Sequence, residues 1–408
     1  MVWQALLALC FGAPLLLIPL ARPASADNLW QRVATYSGGL AMRQVITAHI
    51  ADESVLYAIS QAGGIDLSFD GGERWFDGNA GLPRESLGKI NILGLATDPQ
   101  NANVSYLIVG SPPNLPRPMV YWTVDGGLNW QPRASLGRER VQAIAFGPTS
   151  ADLYVVTPND VLRAFTFGEE EGTQAQMLTP EERFVQGTDD LHWLSIYAFP
   201  SPMRATLART VQYPADRLPI VAADAVTSTE ADADEQATPV EEEGKAPVTL
   251  LYIGTDGKGL EIIVDRGTAG QVAVPANSDE DTRYVRQQAT IYALCAHPDD
   301  PSQLAVATDR GIYHTQDGGA TWKSLGAALR EQQVRALVMD PTNAQAFYAG
   351  LATGGVWRSL DGGRTWELVG HGLEQIPVTA LAIGDGGVLY AGTSKGLWRL
   401  PLSGAPAS

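Results

Sequence analysis

The octapeptide T-Q-D-G-G-A-T-W at residues 315–322 decides the fold, because three close copies of it occur elsewhere in the chain. The copies are S-F-D-G-G-E-R-W at 68–75, T-V-D-G-G-L-N-W at 123–130 and S-L-D-G-G-R-T-W at 359–366. In each copy a hydroxyl residue stands two positions before an aspartate, two glycines follow, and a tryptophan ends the unit. The aspartate can accept backbone N–H groups of its own turn, and glycine adopts the positive φ angles that a tight reversal needs. The sequence therefore predicts one tight turn used four times, and we call the copies the Asp-Gly-Gly turns.

The spacing of the turns predicts the fold class. Asp317 and Asp361 are 44 positions apart, and Asp70 and Asp125 are 55 apart. Short apolar segments rich in Val, Ile and Tyr precede the turns, without helical periodicity. A repeat of roughly 40 to 50 residues built from several short strands is typical of a β-propeller blade. One such sheet cannot bury both of its faces alone, so the copies are expected to pack around an axis.

The motif resembles the Asp box of sialidases, sortilin-type receptors, xyloglucanases and the photosystem II assembly factor family. The last two copies match it closely, whereas Arg74 and Asn129 replace the threonine in the first two. The resemblance implies that the turns lie at the perimeter of a propeller, on the face away from the ligand. It does not decide the function, because these relatives share the turn and differ in what they do.

The shared turn residues are therefore predicted to be structural. At the perimeter the four carboxylates are far apart and cannot act as a catalytic pair. The predicted structural residues are Asp70, Gly71, Gly72, Trp75, Asp125, Gly126, Gly127, Trp130, Asp317, Gly318, Gly319, Trp322, Asp361, Gly362, Gly363 and Trp366.

We predict an all-β chain that forms a single β-propeller of seven four-stranded blades. Six or eight blades are alternatives, because residues 186–275 are the least regular part and are assigned one blade. The first strand of the mature chain is expected to complete the last blade and close the ring, which removes exposed sheet edges. This closure predicts that Trp30 packs beside the strand around Trp398.

Composition limits the class of partner and the cellular location. The net charge of −17 argues against nucleic acid, whose affinity depends on Lys and Arg. Residues 222–247 carry eight acids and one lysine, and we expect a disordered, solvated insertion there. Residues 1–26 are predicted to be a signal peptide ahead of the propeller domain at 27–408, so the protein is expected to be secreted or periplasmic. Membrane attachment is expected only if this leader is not cleaved, and Cys10 and Cys295 are not expected to form a disulfide.

Candidate ligand residues are predicted from propeller geometry. Ligands of propellers usually meet the turns between second and third strands and the first strands that line the channel. The first strands have polar residues at one aligned position, namely Thr47, Gln142, Tyr292, Arg335 and Thr379. Arg310 and Lys395 are added from the turns between second and third strands. The predicted ligand face comprises Gln142, Tyr292, Arg310, Arg335 and Lys395. Solvated loop ends and channel water are the alternative explanation for all of them.

The leading functional hypothesis is an exported, non-catalytic propeller that binds a protein or glycan as a scaffold, receptor or assembly factor. A sialidase needs an arginine cluster and a Phe/Tyr-Arg-Ile-Pro stretch, and the nearest segment, 40–44, is a poor substitute. A xyloglucanase needs two propellers, and this chain has residues for one. The five histidines have no metal-ligand spacing, and no cofactor or metal is expected. The alternative is a glycoside hydrolase whose carboxylates the sequence does not identify, and we expect a monomer.

Overall fold

The structure is a computed structural model that describes most of the chain from residue 29 to residue 402. The described residues are 29–35, 41–50, 53–61, 64–84, 90–99, 101–110, 119–135, 141–147, 153–166, 176–177, 192–198, 203–213, 248–265, 269–271 and 278–402. The predicted signal peptide at 1–26 and the predicted acidic insertion at 222–247 lie outside these residues, so both remain predictions.

The described strands form seven antiparallel sheets, which confirms the predicted seven-bladed propeller. The strands are Met42–Ile50, Glu53–Ser60, Gly64–Ser68 and Phe76–Asp77 in blade 1, and Ile92–Thr97, Ser105–Val109, Met119–Thr123 and Gln131–Ser135 in blade 2. Blade 5 contains Ile291–Ala296, Leu304–Thr308, Gly311–Thr315 and Lys323–Ser324, and blade 6 contains Val334–Asp340, Asn343–Leu351, Val356–Ser359 and Glu367–Val369. In each of these four sheets the strands lie in the order of the sequence.

Blades 3 and 4 are the irregular ones. Blade 3 contains Ala143–Phe146, Leu153–Val156, Asp160–Thr166, Gln176–Met177 and His192–Ala198, and blade 4 contains Ala205–Tyr213, Val248–Thr255, Leu260–Asp265 and Ala269–Gln271. Both Gln176–Met177 and His192–Ala198 pair with the third strand of blade 3. Placing the start of the fourth blade at residue 186 was therefore wrong, because His192–Ala198 belongs to the preceding sheet.

The N-terminal segment closes the ring as predicted. Blade 7 contains Val378–Gly384, Val388–Thr393 and Gly396–Pro401, and Gln31–Arg32 is its fourth strand. Arg32 pairs with Trp398, and the Trp30 indole N–H donates to the Val369 carbonyl at 3.1 Å. Trp30 is 3% exposed and lies in one hydrophobic cluster with the half-buried Trp398. The first described strand therefore joins the last blade to blade 6.

The hydrophobic core is a ring of interfaces. Among the described residues there are seven buried clusters, and each lies between two neighbouring blades. The tryptophans that end the Asp-Gly-Gly turns lie in four different clusters, each against the preceding blade. One short helix, α1 (Glu280–Gln287), joins blades 4 and 5, and 3₁₀ turns occur at Ala327–Leu329 and Asp385–Gly387. Stability therefore depends on contacts between blades.

The antiparallel order gives the propeller two distinct faces. We call the end where the first strands begin the front face and the opposite end the back face. Since direction alternates along each blade, the turns between second and third strands lie at the front face. The Asp-Gly-Gly turns follow the third strands and therefore lie at the back face.

Each Asp-Gly-Gly turn has the same internal hydrogen bonds. In blade 6 the Ser359 hydroxyl donates to Asp361 Oδ1 at 2.7 Å and accepts the backbone N–H of Gly363 at 2.8 Å. Asp361 Oδ1 also accepts the backbone N–H of Thr365 at 2.9 Å. The hydroxyl and backbone N–H of Thr365, with the Ser359 hydroxyl, hold the pKa of Asp361 well below its usual range. The equivalent bonds recur in blades 1, 2 and 5.

The second glycine of the turn allows close contact with the preceding blade. At Gly319, which has a φ of +96°, a Cβ atom would lie 2.6 Å from Ile262 Cδ1 of blade 4. At Gly72 a Cβ atom would overlap the ring and hydroxyl of Tyr390 in blade 7. The Tyr390 hydroxyl donates to the Gly71 carbonyl, and burial raises the pKa of Tyr390 to about 12. The turn therefore bonds its own blade and also fits against its neighbour.

The two glycines of blade 1 allow a matched test of this contact. Gly71→Ala and Gly72→Ala both place a side chain at positive φ, which costs about 1–2 kcal/mol. Only the Cβ at Gly72 meets the buried Tyr390, whereas no atom lies within 4 Å of a Cβ at Gly71. We expect Gly72→Ala to lower the free energy of unfolding by about 1–3 kcal/mol more than Gly71→Ala does. Urea denaturation measures both, and equal losses would contradict the proposed contact.

Ring closure is tested at Trp30. Truncation to alanine removes a buried indole and its hydrogen bond, so we expect Trp30→Ala to cost about 3–5 kcal/mol in chemical denaturation. Leu29, which is 50% exposed, provides the neighbouring control, and Leu29→Ala should change stability by less than about 0.5 kcal/mol. If the two variants unfold at the same denaturant concentration, the N-terminal strand does not close the ring.

Candidate functional site

A β-bulge lies at the same place in the first strand of six blades, and blade 3 has an equivalent residue at that place. In six blades the pairing of the first and second strands shifts near the front face. The shift leaves one first-strand residue without an opposite partner: Arg43, Leu93, Thr206, Tyr292, Arg335 and Thr379. In blade 3, Gln142 takes this place, because its backbone N–H donates at 2.9 Å to Val156, the residue that pairs with Ala143. We call these seven the bulge residues.

The bulges direct these residues toward the axis of the propeller. A bulge bends its strand and re-aims a side chain that the regular pleat would place elsewhere. All seven bulge residues line one cavity of about 700 Å³ on the axis at the front face, which we call the central cavity. Each blade therefore contributes one residue to a common wall.

Four bulge residues hydrogen-bond to the next blade. The bonds join Arg43 Nη1 to the Ile92 carbonyl at 2.6 Å, Gln142 Nε2 to the Met203 carbonyl at 3.1 Å, Thr206 Oγ1 to the Ile291 carbonyl at 2.5 Å, and Thr379 Oγ1 to the Met42 carbonyl at 2.9 Å. In three of the four, the accepting carbonyl belongs to the residue just before the next bulge residue. These side chains join neighbouring blades and have a structural role in addition to any contact with a ligand.

Arg335 differs from the other polar bulge residues. Its guanidinium lies over the Tyr292 ring, 5.3 Å from the ring centroid, and Gln333 donates a hydrogen bond to the Tyr292 hydroxyl. In the part of the chain that the structure describes, Arg335 has no hydrogen-bond or ion-pair partner. A cation held by an aromatic face keeps its N–H groups available. Arg335 is therefore the polar bulge residue best placed to bind a ligand.

The central cavity is strongly basic. Four arginines line it, namely Arg43, Arg204, Arg209 and Arg335, and Asp256 is the carboxylate among its described lining residues. Arg204 and Asp256 form an ion pair at 3.2 Å, and Arg209 donates to the Leu294 carbonyl at 3.3 Å. Burial lowers the pKa of Arg43, but a guanidinium remains protonated at neutral pH. The cavity thus has a local excess of positive charge in a chain whose net charge is −17.

The structure brings together three of the five residues that the sequence predicted for the ligand face. Gln142, Tyr292 and Arg335 line the central cavity. Arg310 and Lys395 are exposed in front-face turns outside the described lining of the cavity. Arg310 lies over the Tyr284 ring at 5.0 Å, so it packs on α1. Whether any of the five binds a ligand remains a proposal.

The sequence alignment of the first strands was wrong in blade 1. It used Thr47, but the register places Arg43 at the bulge. Most blades have a small residue after the bulge residue, as in Thr379-Ala380, and Thr47-Ala48 imitates that pattern. Arg43 is instead followed by Gln44, and Thr206 by Leu207, so both were missed. Strand register, which depends on pairing with the second strand, was needed to find them.

Other chemistry has little support in the described residues. Burial raises the pKa of the Cys295 thiol to about 12, which makes it a poor nucleophile. No group of three or more His, Cys, Asp or Glu residues in the described part is arranged to hold a metal ion. No described helix has the length and apolar character needed to cross a membrane.

Comparison with solved structures gives propellers of low sequence identity. A GH74 enzyme from Niastella koreensis aligns with a TM-score of 0.60 and 14% identity, over 93% of this chain and 54% of that chain. YCF48 bound to a D1 peptide aligns with a TM-score of 0.57 and 11% identity, over 95% of this chain and 100% of that chain. A streptogramin B lyase aligns with a TM-score of 0.54 and 9% identity, over 91% of this chain and 95% of that chain. No model of a known protein family and no curated protein matches this chain.

These similarities show the fold alone. The chain spans about half the length of the GH74 enzyme and the full length of YCF48. The neighbours include enzymes and a peptide-bound protein, so a propeller of this kind does not specify one function. The function must be inferred from the central cavity.

The structural role of the bulge residues predicts a stability effect. The Thr379 hydroxyl lies 2.9 Å from the Met42 carbonyl and 3.1 Å from the Gly392 carbonyl. Thr379→Val keeps the shape and removes this bond between blades 7 and 1, so we expect a loss of about 1 kcal/mol in urea denaturation. Thr353→Val, at an exposed turn of blade 6, is the control and should be neutral. A neutral Thr379→Val would argue against a structural role for the bulge residues.

Proposed function

We propose that this protein is a non-catalytic propeller that binds an acidic segment of a partner protein in its central cavity. The observation that carries the proposal is that the described lining of a cavity of about 700 Å³ contains four arginines and one carboxylate. Low-dielectric walls concentrate the field of such charges and raise the local concentration of anions. Arginine is also well suited to carboxylates, which it can bind through two parallel N–H groups.

The size of the cavity and its neighbours support a peptide as the ligand. A volume of about 700 Å³ lies within the range of roughly 300–1,000 Å³ found for ligand pockets. YCF48, a propeller that this chain covers in full, has been solved with a D1 peptide. By analogy of fold, we infer that the ligand is a short extended segment of a protein.

A glycoside hydrolase is the alternative, since a GH74 enzyme has the same fold. Such an enzyme needs two carboxylates on either side of the scissile bond. Among the described lining residues the carboxylate is Asp256, which is held by Arg204. This arrangement favours binding over hydrolysis.

The proposal places the protein among the exported Asp-box propellers that its sequence resembles. The predicted leader at 1–26 supports export, and the four back-face turns have the hydrogen bonds that the motif predicts. Within that group, a scaffold, receptor or assembly factor fits a site that binds without reacting.

The proposal is tested with labelled peptides in fluorescence anisotropy. We expect a hexaglutamate peptide to bind and a hexaglutamine peptide to bind much more weakly, with affinity for hexaglutamate falling as salt is added. Arg335→Ala should weaken hexaglutamate binding about tenfold, equivalent to about 1.4 kcal/mol. Arg364→Ala removes a guanidinium from the same blade at the back face and should bind normally.

Two results would contradict the proposal. Equal binding of the two peptides would show that the arginines do not select acidic segments. Hydrolysis of a β-glucan or a sialoside that is abolished by Asp256→Asn would favour the alternative. Thermal unfolding of each variant provides the control for folding.

A further inference from the structure

A second cavity lies at the back face, between blades 5 and 6. Its volume is about 260 Å³, and we call it the back-face pocket. Its polar lining includes His297, His314, Gln316, Gln345 and Arg364. Since the central cavity opens where the first strands begin, the two sites are at opposite ends of the propeller.

Strand geometry explains why the pocket exists. His314 lies on the third strand of blade 5, where Tyr313 and His314 point to opposite sides of the sheet. Tyr313 joins the cluster between blades 4 and 5, so His314 faces blade 6. Its partner across the sheet is Ala305, whose small side chain leaves space beside the imidazole. Phe347 of blade 6 lines the same space and packs against Trp366, with ring centroids 6.5 Å apart.

The pocket contains polar groups that the described part of the chain does not satisfy. The side chains of His314, Gln316 and Gln345 have no hydrogen-bond partner among the described residues. Both carboxylate oxygens of Asp361, by contrast, accept hydrogen bonds from Ser359 or Thr365 within its turn. His314 is half-buried, whereas Gln316 and Gln345 are exposed at the mouth of the pocket, where water can reach their amides. All three side chains are therefore free to hydrogen-bond a ligand that enters the pocket.

The chemistry of these groups favours a neutral ligand that both donates and accepts hydrogen bonds. Burial lowers the pKa of His314, so its imidazole is neutral at physiological pH and offers one donor and one acceptor. Each glutamine amide also offers both. The charges of Asp361 and Arg364 at the rim are of opposite sign, which gives no net preference for an ion. Leu325, Met339 and Phe347 supply an apolar wall.

We propose that the back-face pocket binds a single neutral sugar ring, such as the terminal residue of a glycan. Sugar hydroxyls both donate and accept, and the C–H face of a ring packs on an apolar wall. The volume of about 260 Å³ is just below the range of roughly 300–1,000 Å³ typical of drug-sized ligands, which suits one ring. The proposal does not depend on the function of the central cavity, because the two sites share no residue.

Saturation-transfer difference NMR and calorimetry with simple glycosides test the proposal. The probes are the methyl β-glycosides of glucose, galactose and N-acetylglucosamine, with glucuronic acid as the charged comparison. We expect at least one neutral glycoside to bind with a millimolar dissociation constant and glucuronic acid to bind more weakly. Arg335→Ala, which alters only the central cavity, should not change this binding.

Variants locate the binding in the pocket. His314→Leu and Gln345→Leu each keep most of the side-chain volume and remove hydrogen-bonding groups, so each should weaken binding about tenfold. His371→Leu replaces an exposed histidine outside the pocket and should bind normally. Gln345 is exposed, so its variant is expected to fold even if His314→Leu does not.

The outcomes separate this site from the central cavity. No binding of any glycoside to the wild-type protein would overturn the proposal, as would binding that His314→Leu and Gln345→Leu leave unchanged in folded protein. Loss of hexaglutamate binding in Arg335→Ala with intact glycoside binding would support both sites independently.

Discussion

The propeller depends on how closely one blade can approach the next, and this close approach requires glycine, which has no Cβ atom, at one position of the turn. The second glycine of each Asp-Gly-Gly turn lies against the preceding blade, where a Cβ would overlap Tyr390 at Gly72 and approach Ile262 Cδ1 to 2.6 Å at Gly319. Its positive φ also lets the turn reverse within a few residues. The same residue therefore meets a local requirement of the turn and a tertiary requirement of the ring. Among the described residues the core consists of seven interfaces between blades. Because the ring is closed and tightly packed, widening one interface would strain the others.

Close approach of the blades also determines what faces the axis. The first strands lie side by side, and one residue from each blade lines the central cavity, at a bulge in six of the seven blades. Most polar bulge residues bond to the next blade, as Thr206 and Thr379 do. Arg335 does not, and among the described residues its guanidinium lies over the Tyr292 ring without a hydrogen-bond partner. At this position the other blades have residues that pack or bond to a neighbouring blade. Blade 6 instead has a cation without a hydrogen-bond partner among the described residues. Such a departure from the local pattern is typical of a functional site.

Much of the fold could be predicted from the sequence because its determinants are local. A turn that needs Asp, two glycines and a closing tryptophan has the same short sequence pattern each time. The strand around Trp398 is not followed by such a turn, and this predicted that the N-terminal segment supplies the last strand of its blade. The site was less predictable, because strand register depends on contacts distant in sequence. Gln142, Tyr292 and Arg335 were found since each precedes an alanine in a similar context, whereas Arg43 precedes Gln44 and was missed. His192–Ala198 was assigned to the wrong blade for the same reason, because its partner strand begins at Asp160.

The contrast between the charge of the chain and the charge of its cavity bears on selectivity. A chain with a net charge of −17 repels most acidic proteins at long range, yet its central cavity attracts carboxylates at short range. Screening reduces both effects over about 8 Å at physiological ionic strength, because the four arginines are exposed at the front face. In the proposed binding mode, an extended acidic segment brings several carboxylates to the arginines at once, whereas a folded acidic surface presents fewer of them to the cavity. Shape and charge together favour a flexible acidic terminus or loop over a globular acidic partner.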